Sequence, residues 1–146
     1  MDDATGGRGW AAVELSTVPS VPTSGPGDPD WKPLQHYLGL AAFGLNTYSA
    51  AEAGVLLAGE HDEAPSGQEE AYVVLAGRAR FTVAGESFEL GPGGVVAVRD
   101  PAATRSAEAL EPGTTLLGVG SAPGCFETSW GREHFDDVPR HPTADS

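Results

Sequence analysis

The chain has 146 residues, 21 of them acidic against 8 lysines and arginines, for a formal charge of −13. That charge repels phosphate backbones and anionic lipid surfaces, so it speaks against nucleic acid or membrane as a partner. The single Cys125 cannot form an intrachain disulfide, and at this length one domain buries roughly two-thirds of its unfolded surface without that help. Met1-Asp2-Asp3 begins no apolar run, so no secretion signal is read there, and no stretch approaches the roughly 18 apolar residues of a membrane span. The expectation is a cytoplasmic protein. With 20 glycines and 12 prolines, many short strands joined by tight turns suit the composition better than helices.

In chain order, residues 1–30 read as a flexible arm rich in Gly, Pro, Ser and Asp, with one strand at Ala11–Leu15. Asp30 is placed to cap a helical turn through Leu38 that Gly39 ends. Strands are predicted over Leu40–Tyr48 and Gly54–His61, followed by a loop over Asp62–Gln68. Next comes Glu69-Glu70-Ala71-Tyr72-Val73-Val74-Leu75-Ala76-Gly77, a β-branched and aromatic run stopped by glycine, which is a strand with its turn. Alternation puts Glu70, Tyr72 and Val74 on one face and Glu69, Ala71, Val73 and Leu75 on the other. Both faces are largely apolar, which predicts cover on both sides.

Arg78–Val83 and Glu86–Leu90 form a hairpin about Ala84-Gly85, with Arg78 and Arg80 facing solvent or a partner. Val95–Val98, Thr104–Leu110 and Thr114–Gly120 follow, parted by Gly/Pro turns. Strands this short and close, with almost no helix, predict an all-β sandwich or barrel. From Ser121 onward Phe126, Trp130 and Phe135 stand among polar residues, an arm that packs aromatics onto the barrel or a second subunit, and the last residues look disordered. The three units are thus an N-terminal arm (1–30), a barrel (31–120) and a C-terminal arm (121–146). An arm that covers a sheet edge predicts a homodimer.

The layout resembles the cupins, small jelly-roll barrels of the double-stranded β-helix type. The family's first motif ends in a glutamate, six residues and a glycine, and Glu70 to Gly77 matches it. Its second motif, anchored on Gly93, falls on Arg99, Pro101, Thr104 and Glu108, with 78 to 92 between the two. In the family two histidines of a His-x-His, the glutamate and a second-motif histidine hold a divalent metal. Here Glu63 or Ala64 and Pro65 or Ser66 stand at the first spacing, and Thr104 stands where the last histidine belongs. His61, Glu63 and Glu70 remain as the candidate metal set, and one imidazole with two carboxylates suits Fe(II) or Mn(II).

The resemblance implies a barrel that encloses a small organic molecule. The leading expectation is a metal-independent isomerase, cyclase or dehydratase with no cofactor, using Glu70, His61 and Tyr72 for acid–base chemistry. Glu63, Gln68, Thr104, Ser106 and Glu108 are the candidate ligand-binding residues, the last three because they alternate onto one strand face that would share a cavity with Glu70. Two other readings stay open: an Fe(II)- or Mn(II)-dependent dioxygenase with altered ligands, and a non-catalytic binding or sensing module. His36, His134 and His141 read as surface residues. Cys125 has no histidine or basic neighbour to activate it.

Overall fold

The computed structural model describes residues 5–22 and 27–145. Two antiparallel sheets carry the fold. One has five strands in the order β3–β4–β11–β6–β9, namely Asp30–Pro33, Gly44–Ser49, Thr115–Ser121, Glu69–Ala76 and Val95–Val98. The other has four, β5–β10–β7–β8, namely Leu56–His61, Arg105–Ala109, Ala79–Val83 and Glu86–Leu90. This is the expected jelly roll, with α1 (Leu34–Leu38) as the one α-helix among the described residues. No helix among the described residues is long and apolar enough to cross a membrane.

The core lies between the sheets, where every second residue of each strand points inward. Tyr72, Val74, Val96, Val98 and Leu116 from the larger sheet meet Leu57, Ala79, Phe81, Ala107 and Ala109 from the smaller. Burying a side chain such as Leu57 or Phe81 contributes about 1.5–3 kcal/mol. Tyr72, Phe81 and Phe88 form a chain of aromatic contacts through this layer, with centroids 6.2 and 5.7 Å apart. Strand β6 is fully covered only on its Tyr72–Val74 face; Leu75 on the other face is exposed, so cover on both sides is not found.

The hairpin β7–β8 turns through Ala84 and Gly85 with φ of 49° and 84°, the doubly left-handed turn that matches strand twist. Gly77 ends β6 at φ 74°. Here glycine is required twice over, because a Cβ would lie 2.5 Å from the Thr114 Cα. Thr114 is itself fully buried, and its hydroxyl donates to the Glu111 carbonyl oxygen at 2.7 Å, so it cannot retreat.

Three local expectations need correction. Asp30 does not cap a helix: Asp30–Pro33 pairs with Ser49–Asn46 as a strand, and α1 begins only after Pro33 with no side-chain cap. Gly39 does close the helix, in the left-handed conformation. Ala11–Leu15 is not one strand: β2 (Trp10–Ala12) pairs with β1 (Thr5–Gly7) in a separate two-stranded ribbon, and Leu15–Thr17 is a 3-10 turn. That turn anchors the arm, since Lys32 donates to the Leu15 carbonyl oxygen and Val18 is buried beside it. In the C-terminal arm Trp130 and Phe135 pack edge to face on each other at 6.3 Å, while Phe126 is 80% exposed. Arg99 of the barrel donates to the Thr143 carbonyl oxygen, so the final segment does touch the barrel.

Gly77→Ala should therefore destabilise the protein by at least about 2 kcal/mol in a denaturant melt, from left-handed strain plus the Thr114 clash. Gly85→Ala, at φ 84° with open space around it, should cost about 1 kcal/mol. Equal losses would contradict the Thr114 contact.

Candidate functional site

A cavity of ≈ 790 Å³ opens between the sheets at the Glu70 end of β6. It exists because the inward positions along β4 and β11 lose their side chains as they leave the core. Leu116 fills the space next to Val74, but Gly118 and Gly120 follow in phase, with Gly44 opposite Gly120. A Cβ on Gly118 would touch Tyr48 and Tyr72 at 3.7 Å, and one on Gly120 would press the Gln68 Oε1 at 2.9 Å. Trp31, Asn46, Tyr48, His61, Glu63, Gln68, Glu70 and Tyr72 all border the space.

Glu70 stands at its floor, with its side chain 16% exposed. Its Oε1 accepts two hydrogen bonds at 2.8 Å, one from the Tyr72 hydroxyl and one from Arg105 Nη1. Arg105 is 2% exposed; its Nη2 donates to the Asp100 carbonyl oxygen at 3.2 Å, and its Nε has no partner among the described residues. The carboxylate and guanidinium thus form a short, charge-assisted, largely dry pair. Burial, reinforced by Glu70, holds the Tyr72 phenol far above its usual pKa, so it stays a donor. Tyr48 is raised as well, by burial first and then by Glu70 and Glu63.

His61 ends β5 directly opposite Arg105 of β10. Its Nδ1 lies 2.8 Å from the Gly59 carbonyl oxygen, which can only accept. Nδ1 therefore carries the proton in the neutral ring, and Nε2 keeps a lone pair. That Nε2 is 3.8 Å from the Glu70 Oε1. The ligand atoms of His61, Glu63 and Glu70 all lie within 4.8 Å of one another. His61, Glu63, Gln68, Glu70 and Tyr72 are thus gathered as expected.

Thr104, Ser106 and Glu108 are not. Strand β10 turns Arg105, Ala107 and Ala109 inward, because the two alanines fit the core against Phe81 and Ala79, their cross-strand partners. The polar set therefore faces out: Thr104 is exposed, and Glu108 accepts from Arg80 at 3.3 Å. Arg80 and Arg78 also pair with Glu89, and those hydrogen bonds lower the Glu89 pKa. The alternation along β10 was legible, but its phase was not taken from the alanines, so the residue that matters, Arg105, went unnoticed. His36, His134 and His141 are exposed, as is Cys125.

The inward position of β10 bears on metal. Where the cupin pattern has a fourth ligand reaching the glutamate, this chain has a guanidinium already on that oxygen. Positive charge at 2.8 Å opposes a divalent cation on the same carboxylate. The residues present do not fit the family's metal: one imidazole replaces three, and Glu70 is neutralised from within.

Replacing Arg105 with Met should cost about 3 kcal/mol, because Glu70 is left largely buried and unpaired. The double variant Arg105→Met/Glu70→Gln should recover at least about 1 kcal/mol of that loss. Simple addition of the two single effects in urea melts would contradict a direct pair.

No protein-family model matches the chain, and no curated protein matches it in sequence. Among solved structures it is similar to a cupin protein from Bacteroides fragilis, at 19% identity and TM-score 0.66, over 92% of this chain and 99% of that one. A sugar phosphate isomerase from a cupin superfamily in Silicibacter pomeroyi is similar at 18% identity and TM-score 0.60, over 75% and 74%. KdgF from a Halomonas species is similar at 19% identity and TM-score 0.56, over 68% and 83%. Two facing antiparallel sheets in this order, matched over 92% of the chain by a cupin structure, make the chain a small cupin-fold domain.

Proposed function

We propose that the chain encloses a small organic carbonyl compound and isomerises it by proton transfer without a metal. The observation that carries the reading is the Arg105–Glu70–Tyr72 cluster beside a histidine whose Nε2 lone pair is available. His61 Nε2 removes a proton from the carbon next to the carbonyl. The C–H electron pair becomes the new carbon–carbon double bond, and the carbonyl π pair moves to oxygen. Neutral donors border that oxygen's space: the Tyr48 phenol, kept protonated, and the amides of Asn46 and Gln68. Where the carbon that loses its proton carries a hydroxyl, that hydroxyl's proton passes to the oxyanion, the first proton returns from His61 to the former carbonyl carbon, and the new carbonyl stands where the hydroxyl was.

Glu70 Oε1, 3.8 Å from Nε2, sets the position of the His61 ring, its own charge being offset by Arg105. Tyr72 and Arg105 are positioning residues, which hold the carboxylate at that distance. The solved structures whose names include sugar phosphate isomerase are in keeping with proton-transfer chemistry on this fold. A second reading, Fe(II)- or Mn(II)-dependent oxygenation, has in its favour the 4.8 Å grouping of His61, Glu63 and Glu70. The Arg105 contact weighs against it.

The test is incubation in heavy water with a panel of hydroxy and amino ketones, read by mass spectrometry. Wild-type protein should place solvent deuterium on carbon in at least one compound. His61→Gln should slow this by about 10²- to 10⁴-fold. Glu69→Gln, on the exposed face of β6, should leave it unchanged. Binding without exchange in any compound would instead make the chain a binding or sensing module, and equal behaviour of the two variants would sink the active-site assignment.

A further inference from the structure

The charge and shape of the cavity wall narrow the ligand class, an argument that rests on the reading that the cavity encloses a small molecule. Among the described residues, the carboxylates of Asp28, Glu63 and Glu70 line it, and no lysine or arginine does. Glu70 is paired with Arg105, whose guanidinium is not among the described residues that line the space. With the Glu70 charge offset by Arg105, a bound phosphate or carboxylate would still meet the like charge of Glu63. The whole chain adds to this, since a charge of −13 steers cations toward it and anions away.

The opposite wall is aromatic. Trp31 on β3 and Tyr48 on β4 are cross-strand partners whose rings lie 6.4 Å apart and 20° from parallel. Trp31 does not swing freely: its indole Nε1 donates to the Asn46 Oδ1 at 2.8 Å. Trp31 is 39% exposed and lines the cavity. A fixed indole beside a phenol, lining one cavity with carboxylates, is the arrangement that attracts an organic cation, through its ring faces and through charge. The Tyr48 phenol is held above its usual pKa, by burial first and then by the nearby carboxylates of Glu70 and Glu63, so it stays neutral beside a bound cation.

We infer that the cavity selects a small organic cation, an amine or quaternary ammonium group seated between the Trp31–Tyr48 wall and Glu63. The ligand is then an amino or ammonium compound, and phosphorylated sugars are disfavoured despite the names carried by some proteins of similar fold. Glu63 is suited to the contact because it sits in the loop after β5, where among the described residues Ser66 Oγ alone donates to its Oε2, at 3.3 Å. Glu70, in contrast, is already neutralised by Arg105.

Isothermal titration calorimetry with choline, its uncharged carbon isostere 3,3-dimethylbutan-1-ol and glucose 6-phosphate tests this directly. Choline should bind at least about tenfold more tightly than the isostere, and glucose 6-phosphate should give no heat. Trp31→Leu and Glu63→Gln should each weaken choline by about tenfold or more, while Trp10→Leu, on the outlying ribbon, should leave it unchanged. Both test positions lie at the rim or in a loop, so circular dichroism should show folded variants. Equal binding of choline and the isostere overturns the inference while leaving an enclosed ligand in place. Tighter binding of glucose 6-phosphate, or no binding of choline up to millimolar concentration, also overturns it. Deuterium exchange tests the proton-transfer reading separately from any of these results.

Discussion

A guanidinium and a carboxylate, both withdrawn from water and 2.8 Å apart, set the terms for everything around them. Arg105 sits on β10 of the smaller sheet and Glu70 on β6 of the larger, so the pair ties the sheets together at the end where the apolar core stops. Buried ions are costly, and the cost is offset only when hydrogen bonds complete the geometry. Tyr72 supplies one such bond to Glu70, and the Asp100 carbonyl oxygen another to Arg105. The phenol is thereby fixed as a donor and the carboxylate as an acceptor. His61, opposite Arg105 on the next strand, is left as the group with a free lone pair in the cluster.

The cavity itself comes from omission. Along β11 the inward residues run Leu116, Gly118, Gly120, and the loss of side chains in that order converts a packed core into open space. Two tyrosines border the transition, Tyr72 beneath and Tyr48 beside it, and each touches the place a Gly118 Cβ would take. Rigidity follows from this construction, since the strands that carry the site residues are the same strands that build the core. A site on rigid elements keeps its groups at working distance without a ligand to order them.

Much of this was legible in the sequence. The run from Glu69 to Gly77 announced a strand, its alternation put Glu70 and Tyr72 on the core face, the spacing of glycine and proline turns gave an all-β sandwich or barrel, and the cupin resemblance narrowed it to a jelly roll. The failures have two physical origins. Phase on a mixed strand is ambiguous: Thr104, Ser106 and Glu108 alternate as regularly as Arg105, Ala107 and Ala109, and only the smallness of the alanines marks the inner set. An arginine looks like a surface residue until its partner is known, and Glu70 lies 35 positions away in sequence. The N-terminal stretch failed differently, because Trp31 reads as helix from the turn signals around it and becomes a strand only by pairing with Tyr48. Local propensity was overruled by a long-range partner.

Metal content decides between a site neutralised from within and one that takes its charge from a divalent ion. Mass spectrometry of untagged protein, purified without chelators and compared with a His61→Ala variant, gives the measurement. If Arg105 already serves Glu70, wild-type protein carries less than about a tenth of an equivalent of iron, manganese, nickel or zinc, and the variant does not differ. One equivalent of any of these in the wild type, lost in His61→Ala, would contradict that arrangement.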